Sequence, residues 1–136
     1  MASTLKLEIV TPEGTAFSDD VELVTLPAVE GQLGILPHHV ELMTRIVPGE
    51  MLVRKGGHDD FIAIGSGLVE ITGTHVSIAT DMAVAAAGID EAKVEEARQR
   101  AAARLREKLS AEEVASVNAS LARSLAQLRV KKHHRG

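Results

Sequence analysis

The chain has 136 residues and no cysteine, tryptophan or tyrosine, so disulfide staples, thiol catalysis and cysteine-based zinc sites are excluded and stability must come from packing one modest core. Phe17 and Phe61 are the only aromatics, which removes the stacking platforms of single-strand nucleic-acid binders, and no nucleic-acid partner is expected. The net charge of −4 hides a division: residues 1–88 carry four basic against twelve acidic side chains, a net −8, and residues 89–136 carry eleven against seven, a net +4, so the two parts are expected to meet different partners.

The opening Met1-Ala-Ser-Thr-Leu-Lys-Leu-Glu8 has no charged head followed by an apolar run. No stretch approaches the roughly 18 apolar residues that cross a bilayer, and an unexported chain without direct membrane insertion is expected. From Leu5 to about Val84 the apolar residues recur with a period near two, as in Leu5, Leu7 and Ile9 around Lys6 and Glu8. Turn signals at Pro12-Glu-Gly14, Pro48-Gly49, Gly56-Gly57, Gly65-Ser-Gly67 and Gly73-Thr74 cut this half into short strands, which favours an antiparallel β-sandwich or barrel. Gly56-Gly57 is a hairpin signal, and the polar His58-Asp-Asp60 predicts a loop longer than two residues.

Within this half, Leu26-Pro-Ala-Val-Glu-Gly-Gln-Leu-Gly-Ile-Leu-Pro-His-His-Val-Glu-Leu42 reads as a strand, a turn and the next strand. Gly31 and Gly34 offer backbone freedom where a side chain would be strained, and Pro37 fixes φ and removes a ladder donor. Such a loop is displayed rather than buried. Glu30, Gly31, Leu33, Gly34, Ile35, Leu36, Pro37 and His39 match the Glu-Gly-x-Leu-Gly-Ile-Leu-Pro-x-His signature of the F-type ATP synthase epsilon subunit, and the segment resembles that family. Glu41 departs from the proline often found just after the histidine.

Catalytic chemistry has no visible home. Adjacent His38 and His39 on a strand would face opposite sides, so only one could join Glu41, and no metal is expected. The carboxylate pairs Asp19-Asp20 and Asp59-Asp60 lie in polar, turn-rich stretches without a nucleophile nearby, as solvated turn residues do. Gly65-Ser-Gly67 lacks the strand, Gly-rich loop and helix of a phosphate-binding fingerprint.

After Gly88 the period changes. Asp90 is a candidate cap for a helix with the seam Val94, Ala97, Ala101, Leu105 and Leu109. Ser110-Ala-Glu-Glu113 is a capping box opening a second helix with the seam Val114, Val117, Leu121, Leu125 and Leu128. The fold class is therefore β + α, an N-terminal antiparallel β-sandwich followed by a C-terminal two-helix hairpin, divided as 1–87 and 88–136. The first seam is mostly alanine, which buries little area, so the hairpin is expected to come apart at small cost. Lys131-Lys-His-His-Arg-Gly136 is predicted to fray.

The resemblance covers essentially the whole chain and implies a ten-stranded sandwich followed by two helices. It implies a non-catalytic subunit, peripheral on the cytoplasmic face of the cell inner membrane, whose sandwich binds the gamma subunit and the c-ring. Glu30, Gly31, Gln32 and His38 would face the c-ring. The hairpin would reach the alpha/beta catalytic head and oppose ATP hydrolysis, with Arg98, Arg104, Arg106 and Arg123 as inhibitory contacts to acidic segments. Several members bind ATP through Ile/Leu-Asp-x-x-Arg-Ala; Ile89 and Asp90 match while Lys93 and Val94 depart. The residues facing a nucleotide would be Ile89, Asp90, Lys93, Arg100 and Arg123, with weak binding expected because lysine lacks the planar fork of arginine. No resident cofactor is expected, ATP being at most a regulatory ligand. Two other readings are a free-standing nucleotide-sensing module and a small hydrolase working through a carboxylate pair.

Overall fold

A computed structural model describes residues 3–135. Ten strands come first: β1 (Leu5–Thr11), β2 (Gly14–Val21), β3 (Leu23–Ala28), β4 (Gly31–Ile35), β5 (Leu42–Ile46), β6 (Gly49–Lys55), β7 (His58–Ile64), β8 (Gly67–Ile71), β9 (His75–Thr80) and β10 (Ala83–Ala85). A single 3-10 turn, Ala86–Gly88, leads to helices α1 (Glu91–Arg104) and α2 (Ala111–Arg135). The ten strands agree with the count the family resemblance implies.

Hydrogen bonding runs in the order β10-β7-β6-β3-β5-β8-β9-β1-β2, with β4 on the other edge of β3. The path narrows at one point, because β3 and β5 align only through Ala28 and Ile46. There the sheet folds over itself, and Leu7, Ile9, Leu26, Ile35, Met51, Ile64, Ile71 and Ile78 fill the space between the two layers with almost no exposure. At about 25 cal/mol per Å² this apolar burial is the main stabilising term of the molecule. All pairs are antiparallel except β1 with β9, which run parallel with Lys6 aligned to His75.

Three local expectations are corrected. Lys55 aligns directly with His58, so the β6–β7 loop has two residues, Gly56 and Gly57, at φ 60° and 75°. Two left-handed glycines make the tight turn whose twist matches the strands, and His58, Asp59 and Asp60 belong to β7 instead. Gly34 has no strained φ and nothing within 4 Å of an added Cβ, whereas Gly31 sits at φ 123°. The basic tail does not fray within the described residues: α2 continues to Arg135.

The capping box forms as read from the sequence. The Glu113 amide donates to Ser110 Oγ and the Ser110 amide donates to Glu113 Oε1, both at 3.1 Å. Those bonds, with Arg104 adding to them, hold the Glu113 carboxyl below its ordinary range. A depressed carboxylate stabilises the helix above the ordinary glutamate range and stops doing so as pH falls through its lowered value. Ser110→Ala is expected to cost about 1 kcal/mol of helix stability, seen as faster amide exchange in residues 111–117 with the strand amides unchanged.

Candidate functional site

The two outer faces of the sandwich differ. On β7, Ile62 and Ile64 point into the core while Phe61 and Ala63 point outward beneath α2. Here Ala63, Ala86, Ile89, Val94, Ala126 and Val130 form a second buried cluster that seats the hairpin. It has six buried members, three of them alanine, against seventeen in the main core, so it contributes far less. Polar contacts line its rim: Arg123 to Asp81 at 3.5 Å, Gln127 Nε2 to Met82 Sδ at 3.3 Å, and Lys131 Nζ to the Ala86 carbonyl at 3.4 Å.

The opposite outer face, on β5, β8, β9 and β1, carries no element of this chain among the described residues. In one cross-strand row Leu68 aligns with Ala79, and Ala79 with Val10; the next row holds Met43, Glu70, Ser77 and Glu8. Met43 is 63 % exposed, Leu68 52 % and Val10 37 %. They border a shallow groove of about 250 Å³. The patch continues past Arg45 to Val47 and Val29, at the end of the sandwich that holds the β3–β4 turn. Apolar side chains on both faces of a strand are the pattern of a sheet with two covered faces, and a contiguous exposed patch of this kind marks an interaction surface. The sequence reading missed this face, although Val10, Met43 and Leu68 at the polar positions of alternating strands were a usable signal.

Of the loop residues, Glu30 forms the β3–β4 turn with Val29, and Gly31 and Gln32 begin β4, whereas His38 lies beyond the far end of that strand. The Glu30 carboxylate accepts from Thr44 Oγ1 at 2.6 and 2.8 Å. Leu36-Pro37-His38-His39 is a tight turn with His38 at φ 69° and the His39 amide donating to the Leu36 carbonyl. His38 and His39 are thus on a turn and not a strand.

On the hairpin, Asp90 caps α1 by accepting from the Lys93 amide at 3.2 Å, and Ile89 is buried beneath α1 and α2. Arg100 lines an open groove with Ala97, Ala101, Arg104, Val117 and Ser120. Arg123 lies across α2, bonded to Ser120 Oγ and Asp81. Arg98 reaches both oxygens of Glu95 from Nε at 3.1 Å, Arg104 bridges Glu107 and Glu113, and Arg106 is exposed. The predicted α1 seam is buried or half-buried, but α1 ends at Arg104, so Leu105 and Leu109 lie in the link to α2 and not on the helix. The α2 seam differs: Leu125 is 45 % exposed, and Ala126 and Val130 meet the sheet.

The acidic pairs are structural. Arg54 binds Asp59 at 2.8 Å and Lys55 binds Asp19. The Arg54 guanidinium holds Asp59, and the Lys55 ammonium followed by the Asp20 amide holds Asp19, below the ordinary carboxylate range. Neither keeps a proton to donate near neutrality. Among the described residues no group of three histidine, aspartate or glutamate side chains converges as metal ligands do.

Residues 4–86 match the family model of the ATP synthase delta/epsilon chain β-sandwich domain, and residues 88–132 that of its long α-helix domain. The ATP synthase epsilon chain of Herminiimonas arsenicoxydans is 39 % identical over 130 residues, spanning 94 % of this chain and 93 % of the relative. That of Halorhodospira halophila is 40 % identical over 129 residues, spanning 93 % and 92 %. In fold, the molecule resembles a chain in the cryo-EM structure of the Euglena gracilis mitochondrial ATP synthase, with TM-score 0.79, 23 % identity, and coverage of 95 % of this chain and 81 % of that one.

Proposed function

This chain belongs to the epsilon-chain family of the ATP synthase and is a non-catalytic subunit, and we propose that it serves as a rotor element, tying the gamma subunit to the c-ring and carrying a detachable brake on ATP hydrolysis. The observation that supports this most is the contrast between the outer faces. One is covered by the chain's own hairpin through a small alanine-rich cluster, and the other is open and apolar. We assign the open face of β1, β5, β8 and β9 to gamma. The adjoining turn with Glu30, Gly31 and Gln32 is assigned to the c-ring, because it shares an end of the sandwich with that face; His38 stands apart from it.

For the hairpin, two states that differ by a few kcal/mol are enough for a switch. Docked, it is inert; released, its basic residues would meet acidic segments of the alpha/beta head, with Arg98, Arg104, Arg106 and Arg123 as the contacts. The protein is a peripheral component, and no helix among the described residues is long and apolar enough to cross a membrane. We place it on the cytoplasmic face of the inner membrane. For ATP we propose weak binding only, because Asp90 and Arg123 are already engaged and Lys93 offers a point charge.

Ending the chain at Gly88 tests the reading. The strands are complete by Ala85, so the shortened subunit is expected to fold and to bind gamma. Hydrolysis by the assembled enzyme is expected to rise about fivefold, at the low end of ordinary coupling free energies. An unchanged rate would show that the hairpin is not the brake.

A further inference from the structure

We propose that the hairpin is bolted to the sandwich at its base, by Val130 and Lys131 near the end of α2, and that release begins when this end lifts off the 3-10 turn. The proposal rests on the hairpin being the moving part. Helix α2 carries the hairpin's contacts to β6, β7 and the 3-10 turn, whereas α1 meets mainly α2. Those contacts gather in the second half of α2. Ala126 and Val130, one turn apart on one face, are 3 % and 0 % exposed in the cluster with Ala63 and Ala86. The next ridge is polar: Gln127 reaches Met82, and Lys131 reaches the Ala86 carbonyl. The His133 ring continues the contact onto Phe61, with centroids 5.5 Å apart.

Lys131 bears on the segment that must turn if the hairpin is to swing away. Ala86–Gly88 joins the last strand to α1. The Ala86 carbonyl accepts from the Ile89 amide at 3.2 Å, within the turn, and from Lys131 Nζ at 3.4 Å, across 45 positions of sequence. The wound hinge and the docked end of α2 thus support each other.

The other end of the hairpin has no such hold. The link from Leu105 to Ser110 is mostly exposed, and Val117 faces α1 across the groove that Arg100 and Arg104 line. Farther up α2, Arg123 and Asp81 meet at 3.5 Å with both side chains partly exposed, and pairs of that kind contribute little. Val130 is the anchor by contrast, because removing its two methyl groups forfeits apolar burial and leaves a void.

The chain has no cysteine, so one introduced thiol reports release directly. Ala63→Cys places it on β7 beneath α2, where docking shields it. The full-length chain is labelled with iodoacetamide dilute enough that redocking outruns labelling. Val130→Ala is expected to speed labelling about tenfold, and Lys131→Met, which keeps the stem and loses the donor, about threefold. Val117→Ala, which thins only the seam between the helices, should leave the rate unchanged. Ala86→Cys gives a second reporter on the hinge side of the seat, and the same order is expected there. A parental rate in Val130→Ala, or an equal effect from Val117→Ala, would overturn the bolt. The brake is judged separately: faster labelling together with hydrolysis indifferent to truncation after Gly88 supports the bolt while removing the brake. Unchanged labelling with raised hydrolysis removes the bolt alone.

Discussion

Replacing Leu68 and Met43 together by aspartate is expected to weaken binding to the gamma subunit at least about a hundredfold. Both side chains project from the uncovered face, where an apolar anchor that becomes a hot spot at the centre of an interface is worth about 2 kcal/mol or more. An aspartate there must be desolvated to dock, which adds to the lost contact. The isolated subunit should lose at most about 1 kcal/mol, because both positions are exposed: a carboxylate at position 68 faces Arg45 across the strands, and one at position 43 faces Glu70, a like-charge pair that accounts for the loss. Binding measured by calorimetry against purified gamma, with urea unfolding of each variant, separates the two effects. Unchanged affinity would mean that gamma sits elsewhere.

Gly67→Val is expected to cost about 3 kcal/mol, the upper range for forced overpacking, and to lower the urea midpoint by roughly 2 M. A Cβ on Gly67 would lie 1.9 Å from the Ala79 carbonyl oxygen and 2.8 Å from Thr80 Cα, and backbone of that kind cannot step aside. The crossing is pinned by Thr80 Oγ1, which donates to the Ser66 carbonyl at 2.8 Å, and by the Asp81 amide bonded to the same oxygen. Gly34→Ala is the control, since that glycine has free space and an ordinary backbone; its urea midpoint should barely move. Equal stability of the two variants would remove the steric account.

Much of this architecture was legible because local rules decide it. Period-two strands, the switch of period after Gly88 and the Ser110–Glu113 box each depend on neighbours within a few residues. What was not legible depends on partners far along the chain. The polar stretch His58–Asp60 reads as loop until Arg54 is seen across the ladder to bind Asp59. The α2 seam was drawn through its largest apolar residues, yet α2 has two partners, α1 along its first half and the β6–β7 layer along its second, and the buried face rotates between them toward Ala126 and Val130. The docking face was missed for the same reason. Val10, Met43 and Leu68 stand out singly at polar positions of their strands, and their alignment across four strands is what joins them into a continuous patch.

The parallel seat of β1 beside β9 also sets an order of events during synthesis. Strand β1 leaves the ribosome ahead of β2 and can pair with it at once, but its other edge stays open until His75 and the residues after it emerge. Pairings between distant segments are slow, and an open edge is where nascent chains associate wrongly. Lys6 and Glu8 place opposite charges on the solvent side of that edge while it waits. Only when β9 arrives does the fold-over close, and α2, which follows the strands, then finds Phe61 and Ala63 already in place as its seat.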